Sequence, residues 1–479
     1  RGRGSDDRGA LMMASGRGPR RGLVRRGAAA LLATALGLGP AAAQQGPPGS
    51  ILPGVKIGGS ANVRLLSHIQ LGGFFKVSDV AIEQEPSRPY VYVAQALDRA
   101  GFTIVDVKDP DHARVLYRWR FPEAGQVAEL GATRPQYFKD RGRYYLILGV
   151  RFAAGSPNAK VGAVVFDVTS LPDTTRIREV ARIESPAGAG GFRGIFAYKH
   201  SDEQALLFAA VDSGRAAIYD LDSVLAGPTH TALVGRIPIP GARQDAGAGY
   251  HDVYAAFDPA SHQDRFYGAG TGGYYVYDVT RPAQPTLLTS IVGSAGVADG
   301  STFTPTPDGQ FAIAGTDVQY SPLRVFDLRD GLSGQVQTIQ RPVGAWTADW
   351  HDLAHEQVIR WPLAFVSSYE DGLQVFNLAD PRNPQTVGWY YTCGCPHEAG
   401  FAGLTAIHGT TVVNGAFGVD VRNADGLIAL SDANTGLWLF RLDGFAGWNG
   451  DDVGMPNVSS AQDWDRGPLA ATGTVNLIP

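Results

Sequence analysis

Cysteine is nearly absent. The 479 residues hold only Cys393 and Cys395, one residue apart, so no disulfide framework builds this fold and its core has to come from burial. Positive charge is short as well, at 41 Lys plus Arg against 46 Asp plus Glu. That balance excludes the basic surface needed for nucleic acid or anionic lipid. No GxSxG, no HExxH and no glycine loop with a phosphate-binding lysine occurs, which removes several common signatures of catalysis. What the chain has in quantity is 61 Gly, 30 Pro and 10% aromatics. These are the materials of tight turns and short strands, and an all-β, turn-dense globular chain is the expectation.

The N-terminal residues read as an export signal. Met12 or Met13 is the expected start, followed by Arg17, Arg20, Arg21, Arg25 and Arg26, an apolar run and the small-residue stretch AAAQQ. A basic region, a short apolar core and a small-residue cleavage site define a secretory signal peptide, with cleavage expected after Ala43. The run is too short and too rich in Gly and Ala for a membrane span. No cysteine follows it to carry a lipid. Residues 1–43 hold eight Arg and two Asp, so their removal takes the formal charge from −5 to −11. The expected location is secreted, periplasmic or at the cell surface, with no transmembrane segment after cleavage.

A repeat organises the remainder. GFTIVDVKDP from Gly101, GAVVFDVTSLP from Gly162, RAAIYDLDS from Arg215, GYYVYDVTRPAQP from Gly273, PLRVFDLRD from Pro322, GLQVFNLADPRNP from Gly372 and GLWLFRLDG from Gly436 are alternating apolar strands, each running into a turn. Their registering residues are Asp106, Asp167, Asp220, Asp278, Asp327, Asn377 and Arg441, spaced 61, 53, 58, 49, 50 and 64 residues apart. Each unit holds four short strands, and seven such units predict a seven-bladed β-propeller. The last repeat lacks a fourth strand, whereas ANVRLLSHIQLGG (Ala61–Gly73) has the pattern of an outer strand. The N-terminal strand is therefore expected to close the seventh blade and hide its edge. Residues 44–60 read as a linker, 61–443 as the propeller and 444–479 as a polar tail. The repeated Asp residues are expected to cap turns by accepting backbone N–H bonds.

GLQVFNLADPRNPQTVGW and YYVYDVTRPAQPTLLTSI resemble the LVIVD repeat. The resemblance spans about residues 61–443 and weakens in the third, fifth and seventh copies, where the proline pair is lost. It implies an exported bacterial propeller and transfers no catalytic residue. A weaker similarity, limited to the same strand-and-turn phrase, extends to the selenium-binding and methanethiol oxidase propellers, and implies channel histidines that can hold copper.

Candidate chemistry gathers where each inner strand starts, since those corners ring one channel mouth. Counting back from the registering residues finds Ser78–Asp79, Gln136, Arg193, His251–Asp252, Asp299–Ser301 and His351–Asp352. His251 and His351 would serve as metal ligands, with Asp252 and Asp352 as ligands or orienting partners, as structural corners, or as contacts to a bound ligand. Residues 392–416 form an insertion between the sixth and seventh blades on the same face. Within it Cys393 and Cys395 would form a local disulfide, hold copper or zinc with His397, or remain redox-active thiols. Glu398 and His408 lie nearby, and Trp350 with Trp346 would pack a ligand or wedge between blades. Two functions follow: a platform binding a protein or small-molecule ligand through the loops at this mouth, and alternatively a copper-dependent, oxidase-like enzyme with a His/Cys site at the same face.

Overall fold

The computed structural model describes residues 57–468 apart from 74, 123–130, 154, 187–189, 212–213, 228–231, 242–248, 317, 319, 350–352, 394–414, 449–461 and 466. It forms seven four-stranded antiparallel sheets in a ring, a seven-bladed β-propeller. Blade 1 runs through Val77–Ile82, Tyr90–Gln95, Gly101–Asp106 and Arg114–Arg120, from the channel outward. The second strand is buried on every residue, because neighbouring blades cover both of its faces. The outer strand is exposed on its arginines and half-buried between them. That gradient from continuous to interrupted apolar sequence marks strand position within a blade. Among the described residues, no helix is long and apolar enough to cross a membrane.

The ring closes as the sequence pattern predicts. Blade 7 takes its three inner strands from Ala416–Val421, Ile428–Asp432 and Gly436–Leu442, and its outer strand, Val63–Ile69, from the other end of the chain. A short segment, Gly58–Gly59, also pairs with Tyr390 and Tyr391 and adds a fifth strand to blade 6. The N-terminal residues thus strap two blades together.

Aromatic pairs fill the gaps between blades. Phe102 meets Phe166 edge-on at 4.9 Å across blades 1 and 2, Trp346 stacks on Phe376 at 4.6 Å across blades 5 and 6, and Tyr390 meets Phe440 at 4.9 Å across blades 6 and 7. Trp346 is therefore the inter-blade wedge, and its indole N–H donates to Thr386 at 2.9 Å. The repeated polar residue caps its turn. The side chains of Asp106, Asp167, Asp220, Asp278, Asp327 and Asn377 each accept the backbone N–H two residues on, at 2.8–3.2 Å. Arg441, the seventh, instead pairs with Asp425 at 2.8 Å.

Described stretches near the end of the chain pack against the ring. Trp448 N donates to Asn423 O beneath blade 7 at 2.9 Å, and Trp464 is buried in the apolar core shared by blades 1 to 3. Two tryptophans thus hold the described parts of the tail against the bottom of the ring, the end where the inner strands finish.

Candidate channel-mouth site

Inner strands deliver side chains to the axis in two rings. On five of the seven, a β-bulge falls at the start of the strand, between Val77 and Val80, Ala132 and Pro135, Phe192 and Ile195, Tyr250 and Asp252, and Ala416 and Gly418. Bulges re-aim the residue beside them. The equivalent positions at the mouth are Asp79, Arg134, Gly194, Asp252, Thr302, Glu356 and Gly418. Small residues at three of the seven leave the axis to one long side chain.

That side chain is Arg134. Its Nε donates to Asp79 Oδ2 at 2.6 Å, its Nη1 to Asp252 Oδ1 at 2.7 Å, and its Nη2 to Glu356 Oε1. One guanidinium from blade 2 thus gathers carboxylates from blades 1, 4 and 6 across the channel. Burial works against its charge, and Asp252 and Asp79 outweigh that, holding its pKa above the usual value. Gly418 is required at its position, since a Cβ there would lie 1.9 Å from Asp79 Oδ1. Gly194 is less constrained, its Cβ meeting His251 O at 3.2 Å.

Below, Asp420 turns its carboxylate onto backbone, accepting Ile82 N at 3.0 Å and Val421 N at 2.8 Å. The buried Arg360 approaches Asp420 at 3.6 Å and donates to Val421 O at 2.8 Å. Between the two rings lies a void of about 40 Å³ lined by residues of all seven blades. Small-molecule sites run to roughly 300–1,000 Å³, so the axial void holds water at most. A ligand entering from this mouth has to sit above Arg134. The three carboxylates against one guanidinium leave that floor with an excess of negative charge.

The residues singled out from sequence fare unequally. Asp252 reaches the axis, and His251 sits on the adjacent bulge. The inner strand of blade 6 is Glu356–Arg360, so the residue in register with Asp252 is Glu356. A fixed interval overshoots here because that blade has shorter strands and a two-residue turn, Trp361–Pro362. Trp350, His351, Asp352, Cys395, His397, Glu398 and His408 lie outside the described residues. Cys393 is disulfide-bonded, and Asn434 Nδ2 approaches its sulfur at 3.8 Å. His355 is a packing residue, its Nδ1 2.6 Å from Phe417 O and its ring 4.1 Å from the Phe417 ring. Among the described residues, no group of three or more His, Cys, Asp and Glu is arranged to hold a metal ion. Arg134 and Glu356 escaped the sequence reading. Their signal is a charged residue at the head of an inner strand, as in TRPQYF and EQVIR.

Glu370 lies on the same face, in the hairpin between Leu363–Ser368 and Gly372–Asn377. Burial, and then the neighbouring Asp371, push its carboxyl up to about 7. A folded-state value above the unfolded one contributes stability that is full below the usual carboxylate range and is lost as pH rises through about 7. Glu370→Gln should therefore match the parent in urea midpoint near about pH 3.5 and exceed it near about pH 8.5. A constant offset between the two pH values would refute the assignment.

No family model matches the chain, and no curated protein is significantly similar to it. The fold and the geometry of the mouth therefore carry the functional reading.

Proposed function

We propose that the chain is an exported propeller of the LVIVD-repeat kind that works as a binding platform, with its recognition surface at the mouth above Arg134. The observation that carries this reading is the Arg134 seal. It spans the axis and leaves a polar floor at the end of the ring where one blade leads into the next. Loops on a rigid scaffold are the usual place for recognition. The excess of carboxylates at the floor favours a ligand that presents positive charge, either a small molecule with an amine or a basic segment of a protein. His251 and Cys393 lie at the same end of the ring, and His251 would set specificity. Cleavage after Ala43 leaves the closing strand Val63–Ile69 in the mature protein, so export is compatible with a complete ring.

A thermal-shift and calorimetric screen of amines and basic peptides against the protein lacking residues 1–43 tests this. Hits should bind with salt-dependent affinity, and Asp252→Asn or Glu356→Gln should each weaken them by about tenfold, the loss of one charge contact. Hits that prefer anions, or that ignore both substitutions, would sink the reading. Elemental analysis of the same preparation belongs with it. A stoichiometric transition metal that His251→Ala removes would replace the platform with a metalloenzyme.

A further inference from the structure

The opposite face carries a second, already occupied site. The inner strands of blades 2 and 3, Gly131–Asp140 and Phe192–Lys199, end at the bottom rim. There the Gln462 side-chain amide reads backbone. Its Oε1 accepts Lys199 N at 2.6 Å, and its Nε2 donates to Ala197 O at 2.6 Å. Two residues on, Trp464 is 7% exposed and packs against Phe138, ring centres 6.0 Å apart. Asp465 then pairs with Lys139 at 2.5 Å. Bonds from Asp465 N to Asp463 Oδ1 and from Gly467 N to Asp463 O fold the segment into a compact turn.

We propose that this rim is a peptide-recognition site, and that Gln462–Gly467 occupies it as a tethered competitor. The ligand it excludes is a segment of another polypeptide with a glutamine, an aromatic two residues later and a carboxylate directly after. Three observations carry the inference. The contacts are those of a peptide interface: an amide reading backbone, an aromatic anchor in an apolar pocket and one ion pair at the edge. All seven blades are complete at Leu442, so the segment belongs to no sheet. One member of the rim is also held in place without the occupant. Lys139 keeps Glu85 as a second partner at 3.2 Å, and Tyr144, which bonds Glu85 at 2.7 Å, lies under its ammonium at 5.2 Å. The occupant's fit is incomplete, since the buried Trp464 Nε1–H finds no acceptor among the described residues. A phenylalanine in that place leaves nothing unpaired.

The test uses a labelled peptide, SSAQDWDRGP (residues 459–468), and the full chain. A tethered segment acts at an effective concentration in about the millimolar range, so releasing it should tighten peptide binding by roughly ten- to a hundredfold. The parent should bind the peptide poorly and the Gln462→Ala/Trp464→Ala chain well. Adding Lys139→Glu to that chain should abolish binding, and a peptide with phenylalanine for tryptophan should bind at least as tightly. Equal binding by parent and released chain, or none by a folded released chain, overturns the proposal. Should the released chain fail to fold, hydrogen exchange at the Lys199 amide of the parent decides. Exchange through a local opening, blocked by excess peptide, supports the site; exchange only through global unfolding makes the segment a fixed part of the core and overturns it.

Discussion

Replacing Arg134 by methionine should cost about 3–5 kcal/mol, because breaking a buried ion pair from one side leaves uncompensated charge. A domain's whole stability is about 5–15 kcal/mol, so the variant should be marginal at room temperature. The loss is not one of volume, since methionine keeps most of the stem. It arises because Asp79, Asp252 and Glu356 would face one another across a narrow axis with no cation between them. Protonating any of the three relieves that repulsion, so the deficit in urea midpoint should shrink as pH falls. Neutralising the acids together with the arginine, as Asp79→Asn, Asp252→Asn and Glu356→Gln on Arg134→Met, should recover most of the loss, as polar but uncharged groups cost less to bury. Arg134→Lys should fall between, since an ammonium cannot fork to three acceptors in the plane of a guanidinium. A loss below about 1 kcal/mol for Arg134→Met, typical of an exposed pair, would show that the mouth is open to water and not sealed.

The ring was legible because its information is local and repeated. Each third strand alternates apolar residues, and six of the seven end in a side chain that caps the following turn, as Asp106, Asp167 and Asp278 do within their own segments. The Arg134 cluster was not legible for the opposite reason. Its four members come from four blades and meet only once the ring has closed, so no window of sequence holds more than one of them. Strand length hid two of them further: 33 residues separate Arg134 from Asp167 and 21 separate Glu356 from Asn377, against 26 or 27 in blades 1, 3 and 4. Composition hid the contacts of the tail: residues 444–479 average out as polar, and nothing in that average singles out Trp448, whose backbone N–H bonds Asn423 O, or Trp464, which is buried.

Closure supplies the second large effect. A chain beginning at Gly73 should fail to fold into a monomer, whereas one beginning at Asn62 should stay near-native. The shorter cut removes the pairing of Gly58 and Gly59, the three bonds between Ser60 and Trp389 at 2.9, 3.0 and 3.3 Å, and the bond from Val63 N to Ser60 O at 3.0 Å, a loss of roughly 2–4 kcal/mol at about 1 kcal/mol per bond, part of it replaced by water. The longer cut removes the six register pairs from Val63–Leu442 to Ile69–Leu437. It also uncovers Trp438, which is 1% exposed and stacked on His68 at 4.0 Å. At about 1 kcal/mol per bond the ladder alone approaches a domain's total stability, and the apolar area of Val63 and Trp438 adds to it. An unpaired Gly436–Leu442 edge is then free to pair with other chains, so the product should aggregate rather than merely soften. Size-exclusion chromatography and thermal melts of the two truncations separate these outcomes, and a synthetic peptide of residues 61–73 should restore the melt of the longer one. A soluble, monomeric chain from Gly73 with the parent's transition would mean that blade 7 holds to blade 1 through Leu427, Ala429, Leu437 and Leu439 against Val80, Ile82 and Val91 alone. The outer strand would then be a cover and not the clasp.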